Sequence, residues 1–205
     1  MVFDCDGTLI DSEQTWLELM AQLLAERKLR AEEVSSVRGV TAAEAADRLS
    51  AVTGERKDEL CEEIDRRYSE ALTSITQPLP GVLELLSSLD DAVPTAVATN
   101  GRRADVEAML GRVGVSKHMR HLLTIDEVEF GKPEPDLYIR ACAAMGHRPS
   151  VVVAFEDSAV GARAAYDAGC RVVGLGDEVP DEFVVARATN LAGVRFDAAR
   201  RTFTV

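Results

Sequence analysis

The spacing of apolar positions divides the chain into two stretches of different character. Met1-Val2-Phe3 is an apolar run that stops at Asp4. It is short for a central strand, so the natural strand is expected to begin further upstream or the start to be unusual. From Asp11 the pattern turns helical. Trp16, Leu19, Met20, Leu23 and Leu24 recur at i, i+3, i+4, i+7 and i+8, with Asp11 placed to cap and Gln14 three residues on. Thr41-Ala-Ala-Glu44 reads as a capping box ahead of Ala45, Leu49 and Val52, with Gly54 as a stop. Leu60, Ile64 and Tyr68 line a third helical face, and Trp16 is expected in the core of this helical stretch. No strand signal occurs from about Asp11 to Thr76.

Gln77-Pro-Leu-Pro-Gly81 breaks the pattern, and strands and helices then alternate. A helix over Val82 to Leu89 leads to an apolar, β-rich run from Val93 to Thr99. Ala104 to Val113 is helical and stops at Gly114, with a short strand near Leu122 to Ile125. Pro135 suits a first helical position, and that helix ends at Gly146. Val151 to Phe155 reads as strand, Ser158 to Ala168 as helix with Gly169 after it, and Val172 to Leu175 as strand. Fully apolar strands alternating with helices predict an α/β fold, a doubly wound parallel sheet with a Rossmann-like core covered on both faces. The core is expected over 1–10 and 80–205, and 11–79 as an inserted α-helical cap domain. Such sheets bind ligands beyond the C-terminal ends of their strands, where a helical lid would exclude water and choose the substrate.

With 205 residues the chain can bury a sizeable core. Its 46% hydrophobic and 28% charged content suits a globular protein. The net charge of -12 excludes nucleic acid or an anionic membrane as the main partner, since both need a basic surface. It also means that local cations must overcome the global field if the substrate is an anion. Cys5, Cys61, Cys142 and Cys170 lie far apart with no Cys-x-x-Cys pair, which suggests neither a zinc site nor a disulfide framework. No apolar stretch approaches the roughly 18 residues of a membrane span. The expectation is a cytoplasmic protein, a monomer or weak dimer. His118, His121 and His147 show no ligand spacing.

The polar residues that follow the apolar runs carry the candidate chemistry. Asp4 and Asp6 follow the first strand, and Gly7 turns the chain. Two nearby carboxylates repel unless a cation lies between them or their environments push their pKa values apart; the first outcome suits a divalent metal, and the second a nucleophile beside a general acid/base. Asp-x-Asp-Gly also opens a calcium loop, but the required Glu at its twelfth position is Thr15 here, and that reading fails. Thr99-Asn100-Gly101 follows the second strand, where it is either a helix cap or an anion site at a helix N-terminus. Lys132 stands between Gly131 and Pro133, as a solvated surface charge or a fixed phosphate-facing ammonium. Glu156-Asp157 follows a later strand, as acids on a helix N-terminus or as oxygen ligands for a hard cation. All four points fall at one edge of the predicted sheet.

Phe-Asp-Cys-Asp-Gly-Thr-Leu-Ile-Asp-Ser resembles the first motif of the haloacid dehalogenase-like hydrolases, in the branch of small phosphatases and β-phosphoglucomutases with a helical cap. Val-Ala-Thr-Asn-Gly is similar to the second motif, Gly-Lys-Pro-Glu-Pro-Asp to the third, and Phe-Glu-Asp-Ser-Ala-Val-Gly-Ala-Arg-Ala-Ala-Tyr-Asp-Ala-Gly to the fourth. The resemblance implies that Asp4 is phosphorylated, that Asp6 is the general acid/base, and that Thr99 and Lys132 bind the transferred phosphoryl group with Asn100 and Gly101. It further implies Mg²⁺ held by Asp4, the main-chain carbonyl of Asp6, and Asp157, with Glu156 as ligand or close support. Arg38-Gly39-Val40-Thr41 resembles the cap loop that faces the site, which makes Arg38 a substrate-binding candidate. The implied substrate is a small phosphorylated metabolite, a sugar or sugar-acid phosphate. The dehalogenase branch lacks an acid at the position of Asp6, and a receiver-like module lacks the helical insertion. A phosphomutase would use the same residues plus a second cationic cluster, for which Arg38, Arg48, Arg66 and Arg67 offer little.

Overall fold

The computed structural model describes the chain except residues 31, 33, 35, 36, 38, 39, 90–92, 198 and 201. Arg38 therefore lies outside the described residues. The chain divides into two compact units, one of Met1–Asp11 with Thr76–Val205 and one of Ser12–Ile75. Among the described residues no helix is long and apolar enough to cross a membrane.

The second unit is helical: α1 Glu13–Glu26, α2 Ala42–Thr53 and α3 Lys57–Leu72. Its core gathers Trp16, Leu19, Met20 and Leu23 of α1, Ala45 and Leu49 of α2, and Leu60 and Ile64 of α3, as the helical spacing selects, whereas Val52, selected with them near the end of α2, is exposed. Trp16 is core as expected: its ring meets Tyr68 edge-on at 5.2 Å and Nε1 donates to the Val37 carbonyl at 2.7 Å. The Thr41/Glu44 capping box forms, with Thr41 N–H donating to Glu44 Oε2 at 2.8 Å and Glu44 N–H to Thr41 Oγ1 at 3.3 Å. Asp11 does not cap α1. Ser12 occupies that position, and the Gln14 amide turns forward to Glu18 Oε1 at 2.8 Å.

The first unit holds a six-stranded parallel sheet of β1 Val2–Phe3, β2 Ala96–Ala98, β3 His121–Leu123, β4 Val153–Glu156, β5 Arg171–Leu175 and β6 Val184–Ala188. Its order is β3-β2-β1-β4-β5-β6. The chain winds outward from β1 through β2 to β3, then returns past β1 to β4, which places the topological switch between β1 and β4. The two-residue β1 suffices at the centre because both sides of its ladder are filled. The Met1 carbonyl accepts from Ala96 N–H at 3.0 Å, and Asp4 N–H donates to the Phe155 carbonyl at 3.0 Å. Side chains alternate across the sheet. Val2, Ala96, Ala98, Ala154 and Val172 share one core with Leu137, Tyr138 and Ala141 of α6 (Asp136–Ala144) and with Ala162 and Ala165 of α7 (Ala159–Asp167). Phe3 stacks on Phe155 at 5.0 Å, and Phe203 of the hairpin β7 Arg195–Asp197 and β8 Thr202–Thr204 reaches Phe155 at 5.9 Å. Helices α4 (Val82–Leu89) and α5 (Arg103–Arg112) complete the layers.

Several element boundaries differ from the sequence expectation. Val151 is exposed in a turn begun by Pro149, so β4 starts at Val153. Pro94 and the turn at Ile125 shorten β2 and β3 to three residues each. Pro135 precedes the first helical residue of α6. β6 and the β7–β8 hairpin were not expected, because they are short and half-exposed and carry no clean apolar run.

Candidate active site

The C-terminal ends of β1 and β4 lie side by side at the switch point, so Asp4 and Asp6 meet Glu156 and Asp157 there. After Asp4 the chain folds into a tight loop, with Leu9 and Ile10 N–H donating to the Cys5 carbonyl and Gly7 N–H to the Ile10 carbonyl at 2.7 Å. Gly7 adopts φ +86°, and a Cβ there would lie 1.9 Å from Asp157 Oδ2. Only glycine lets the two acidic loops approach this closely. Thr8 Oγ1 also reaches Asp157 Oδ1, at 3.4 Å.

Lys132 enters from the loop before α6, and its side chain is almost wholly buried. Its ammonium donates to Asp4 Oδ1 and, at 2.6 Å, to Glu156 Oε1. Asn100, at the end of β2, holds the backbone of Lys132 from both sides: Asn100 Nδ2 donates to the Lys132 carbonyl at 3.1 Å, and Lys132 N–H donates to Asn100 Oδ1 at 2.8 Å. Asn100 thus spends its amide on placing Lys132. Thr99 is fully buried, and its Oγ1 donates to Asp6 Oδ2 at 3.1 Å while accepting from Gly101 N–H at 2.9 Å. The N-terminus of α5 offers less to an anion than its sequence suggests, since Arg103 N–H already donates to Asp126 Oδ2 at 2.7 Å.

Two buried carboxylates, Asp4 and Glu156, therefore share one ammonium, and Asp157 stands beside them. Oxygens of Asp4, Glu156 and Asp157 lie within 4.8 Å of one another. Burial pushes the Asp4 carboxyl well above the usual range, with the Glu156 charge adding to it and Lys132 only partly offsetting it. Burial, then Glu156, pushes Asp157 up to about 7. Burial alone would lower Lys132, but the Asp4 and Glu156 charges outweigh it and hold the ammonium well above its ordinary value. A cluster of hard oxygen donors that resists ionisation for want of positive charge fits a divalent cation of the Mg²⁺ type, which reverses that penalty.

Every sequence-selected residue of the first unit meets at this edge. Sequence reasoning missed Tyr138, whose hydroxyl donates to Glu156 Oε1 from α6. The signal was present: a hydroxyl-bearing ring on the apolar face of Leu137, Ala141 and Cys142 requires a buried partner.

Comparison with known proteins agrees with the fold. The profile of the haloacid dehalogenase-like hydrolases matches residues 1–175. A validoxylamine A 7'-phosphate phosphatase of Streptomyces hygroscopicus subsp. limoneus is 36% identical over 178 residues, covering 85% of this chain and 84% of that protein. The fructose-1-phosphate phosphatase YqaB of Escherichia coli is 28% identical over 181 residues, 84% of this chain and 94% of that one. A β-phosphoglucomutase structure from Clostridium difficile superposes with a TM-score of 0.82 at 18% identity, covering 97% and 94% of the two chains, a likeness of fold.

Proposed function

We propose that this chain, which belongs to the haloacid dehalogenase-like hydrolases, is a Mg²⁺-dependent phosphatase that hydrolyses a small phosphomonoester through an aspartyl-phosphate on Asp4. The carrying observation is the Lys132 ammonium fixed against Asp4 at the switch point, with Asp6 held by Thr99 beside it. Lys132 offsets the repulsion between an anionic nucleophile and an anionic ester, and two of its three protons are spent on carboxylates, which leaves one for a phosphoryl oxygen. An Asp4 oxygen attacks phosphorus in line, the phosphorus–ester oxygen bond breaks, and Asp6 delivers a proton to the leaving alkoxide. Asp6 then takes a proton from water as the water attacks phosphorus, and orthophosphate leaves with the Asp4 carboxylate restored. Asp4, the Asp6 carbonyl and Asp157 would hold Mg²⁺, with Glu156 beside them; when bound, the ion supplies charge neutralisation and orientation for the phosphoryl group.

The phosphatase names of the two sequence relatives support a phosphomonoester substrate of the sugar or sugar-acid class. The helical stretch 11–79 is assigned the role of a substrate-selecting cap, with Arg38 as its candidate contact. The test is orthophosphate release from p-nitrophenyl phosphate and from a panel of sugar phosphates, in EDTA and with Mg²⁺ restored. Activity that needs Mg²⁺ and disappears in Asp4→Asn, with circular dichroism unchanged, is expected. Undiminished turnover in EDTA, or a near-normal rate in Asp4→Asn, overturns the reading, and isomerisation of a sugar phosphate without phosphate release would make the enzyme a mutase.

A further inference from the structure

Tyr138 stands outside the reacting set and yet touches it twice. It is fully buried on α6. Its hydroxyl donates to Glu156 Oε1, the oxygen that also accepts Lys132 Nζ at 2.6 Å. The same ammonium lies 5.2 Å from the centroid of the Tyr138 ring, within range of a cation–π contact. The other Glu156 oxygen accepts from Ser158 Oγ at 3.3 Å. Behind the carboxylate stands Gly161, where a Cβ would come within 2.0 Å of Oε1 and 2.2 Å of Oε2. Glu156 is thus enclosed by Lys132, Tyr138, Ser158 and Gly161, and it cannot turn without losing one of its hydrogen bonds.

We infer that Tyr138 is a positioning residue that, through its hydroxyl on Glu156 and its ring beneath the ammonium, fixes Lys132 against Asp4. The role rests on the phosphoryl-transfer reading above. A hydrophobic position on a sheet-covering helix needs only a ring, which Phe would supply. What Tyr adds is a proton that orients the Glu156 carboxylate, so that Lys132 meets one oxygen in one place. A neutral apolar ring edge there would leave Oε1 to Lys132 alone and let the pair swing together, and small displacements of such a group are costly to catalysis.

The experiment compares the wild type with Tyr138→Phe, which keeps the ring and removes the hydroxyl, and Tyr138→Leu, which removes both. With p-nitrophenyl phosphate and Mg²⁺, kcat/KM of Tyr138→Phe should fall roughly tenfold, the rate equivalent of one hydrogen bond to a charged group. The spectroscopic readout needs no turnover: the ¹H–¹⁵N signal of the Lys132 ζ-ammonium, assigned by its absence from Lys132→Met. It should exchange with water several-fold faster in Tyr138→Phe, and in Tyr138→Leu it should also move, because the ring current is gone. A kcat/KM within twofold of wild type in Tyr138→Phe, or an ammonium signal unaltered in both variants, overturns the inference. If Tyr138→Phe does not fold, the wild type decides: a slowly exchanging Tyr138 hydroxyl proton with cross-relaxation to the Lys132 ammonium supports it, and absence of that proton overturns it. A wild type without phosphomonoesterase activity would refute the proposed function, while the ammonium signal would still decide on Tyr138.

Discussion

Replacing Lys132 by Met probes how the buried charge is balanced. The variant keeps the length and most of the volume of the side chain but removes the charge that faces two carboxylates. Asp4 and Glu156 have side chains only 9% and 0% exposed, so water cannot take over the role of the ammonium. Removing one partner of a buried ion pair costs about 3–5 kcal/mol, because the charge left behind is unpaired and desolvated. At ~2–4 °C per kcal/mol for a chain of this size, Tm should fall by roughly 6–20 °C in metal-free buffer at about pH 8. The pH dependence has a definite sign. Asp4 already sits well above the ordinary carboxyl value, for burial first and the Glu156 charge second, and loss of Lys132 pushes it further. The folded variant therefore binds a proton that the unfolded chain releases. Its deficit is complete above the folded value and shrinks as pH falls toward the unfolded value of about 4. Mg²⁺ should return part of the loss by supplying charge to the same oxygens. Thermal unfolding followed by circular dichroism, at about pH 8 and about pH 5 and with and without Mg²⁺, measures all three effects. A Tm within about 2 °C of wild type at the higher pH, or a deficit that grows on acidification, would refute the reasoning.

Two further outcomes are expected. Asp157, pushed up to about 7 by burial and then by Glu156, must lose its proton to ligate a metal, so Mg²⁺ affinity should weaken as pH drops below that value; calorimetric titrations giving the same affinity between about pH 6 and pH 8 would count against Asp157 as a ligand. Gly7→Ala should lower stability by about 1–2 kcal/mol for the left-handed backbone alone, and should weaken Mg²⁺ binding by displacing Asp157, whose Oδ2 the new Cβ would meet at 1.9 Å. Urea unfolding and the same calorimetry check both, and an unchanged midpoint with unchanged affinity sinks that account.

Three of the residues that carry the candidate chemistry were legible because each marks the end of an apolar run, whereas Lys132 stood out only by its place between Gly131 and Pro133. A strand that must be buried on both faces tolerates polar side chains only where it stops, so Asp4, Thr99 and Glu156 announce themselves by position. Helical spacing likewise selected the core of the Ser12–Ile75 unit, where Trp16, Leu49, Leu60 and Ile64 are buried. Local pattern failed where burial is partial. β6, β7 and β8 are short and half-exposed, and their pairing partners rather than their own composition make them strands.

What the sequence by itself determined is the order of the elements as far as β5 and which polar residues lie at one edge of the sheet, since both follow from the periodicity of burial along a single chain. Which of those residues touch was decided only in three dimensions. Thr99, Asn100 and Gly101 read either as a helix cap or as one anion-binding loop, and the fold turns Thr99 to Asp6, Asn100 to the Lys132 backbone and the Arg103 N–H at the start of α5 to Asp126. Tyr138 was one apolar-face position among several until the close packing of α6 on the sheet brought its hydroxyl to Glu156. Lys132 meets Asp4 from 128 positions away along the chain. A buried donor or acceptor must take whatever partner the folded neighbourhood supplies, because water is no longer there to satisfy it. That choice depends on distance in space, which no local window of sequence contains.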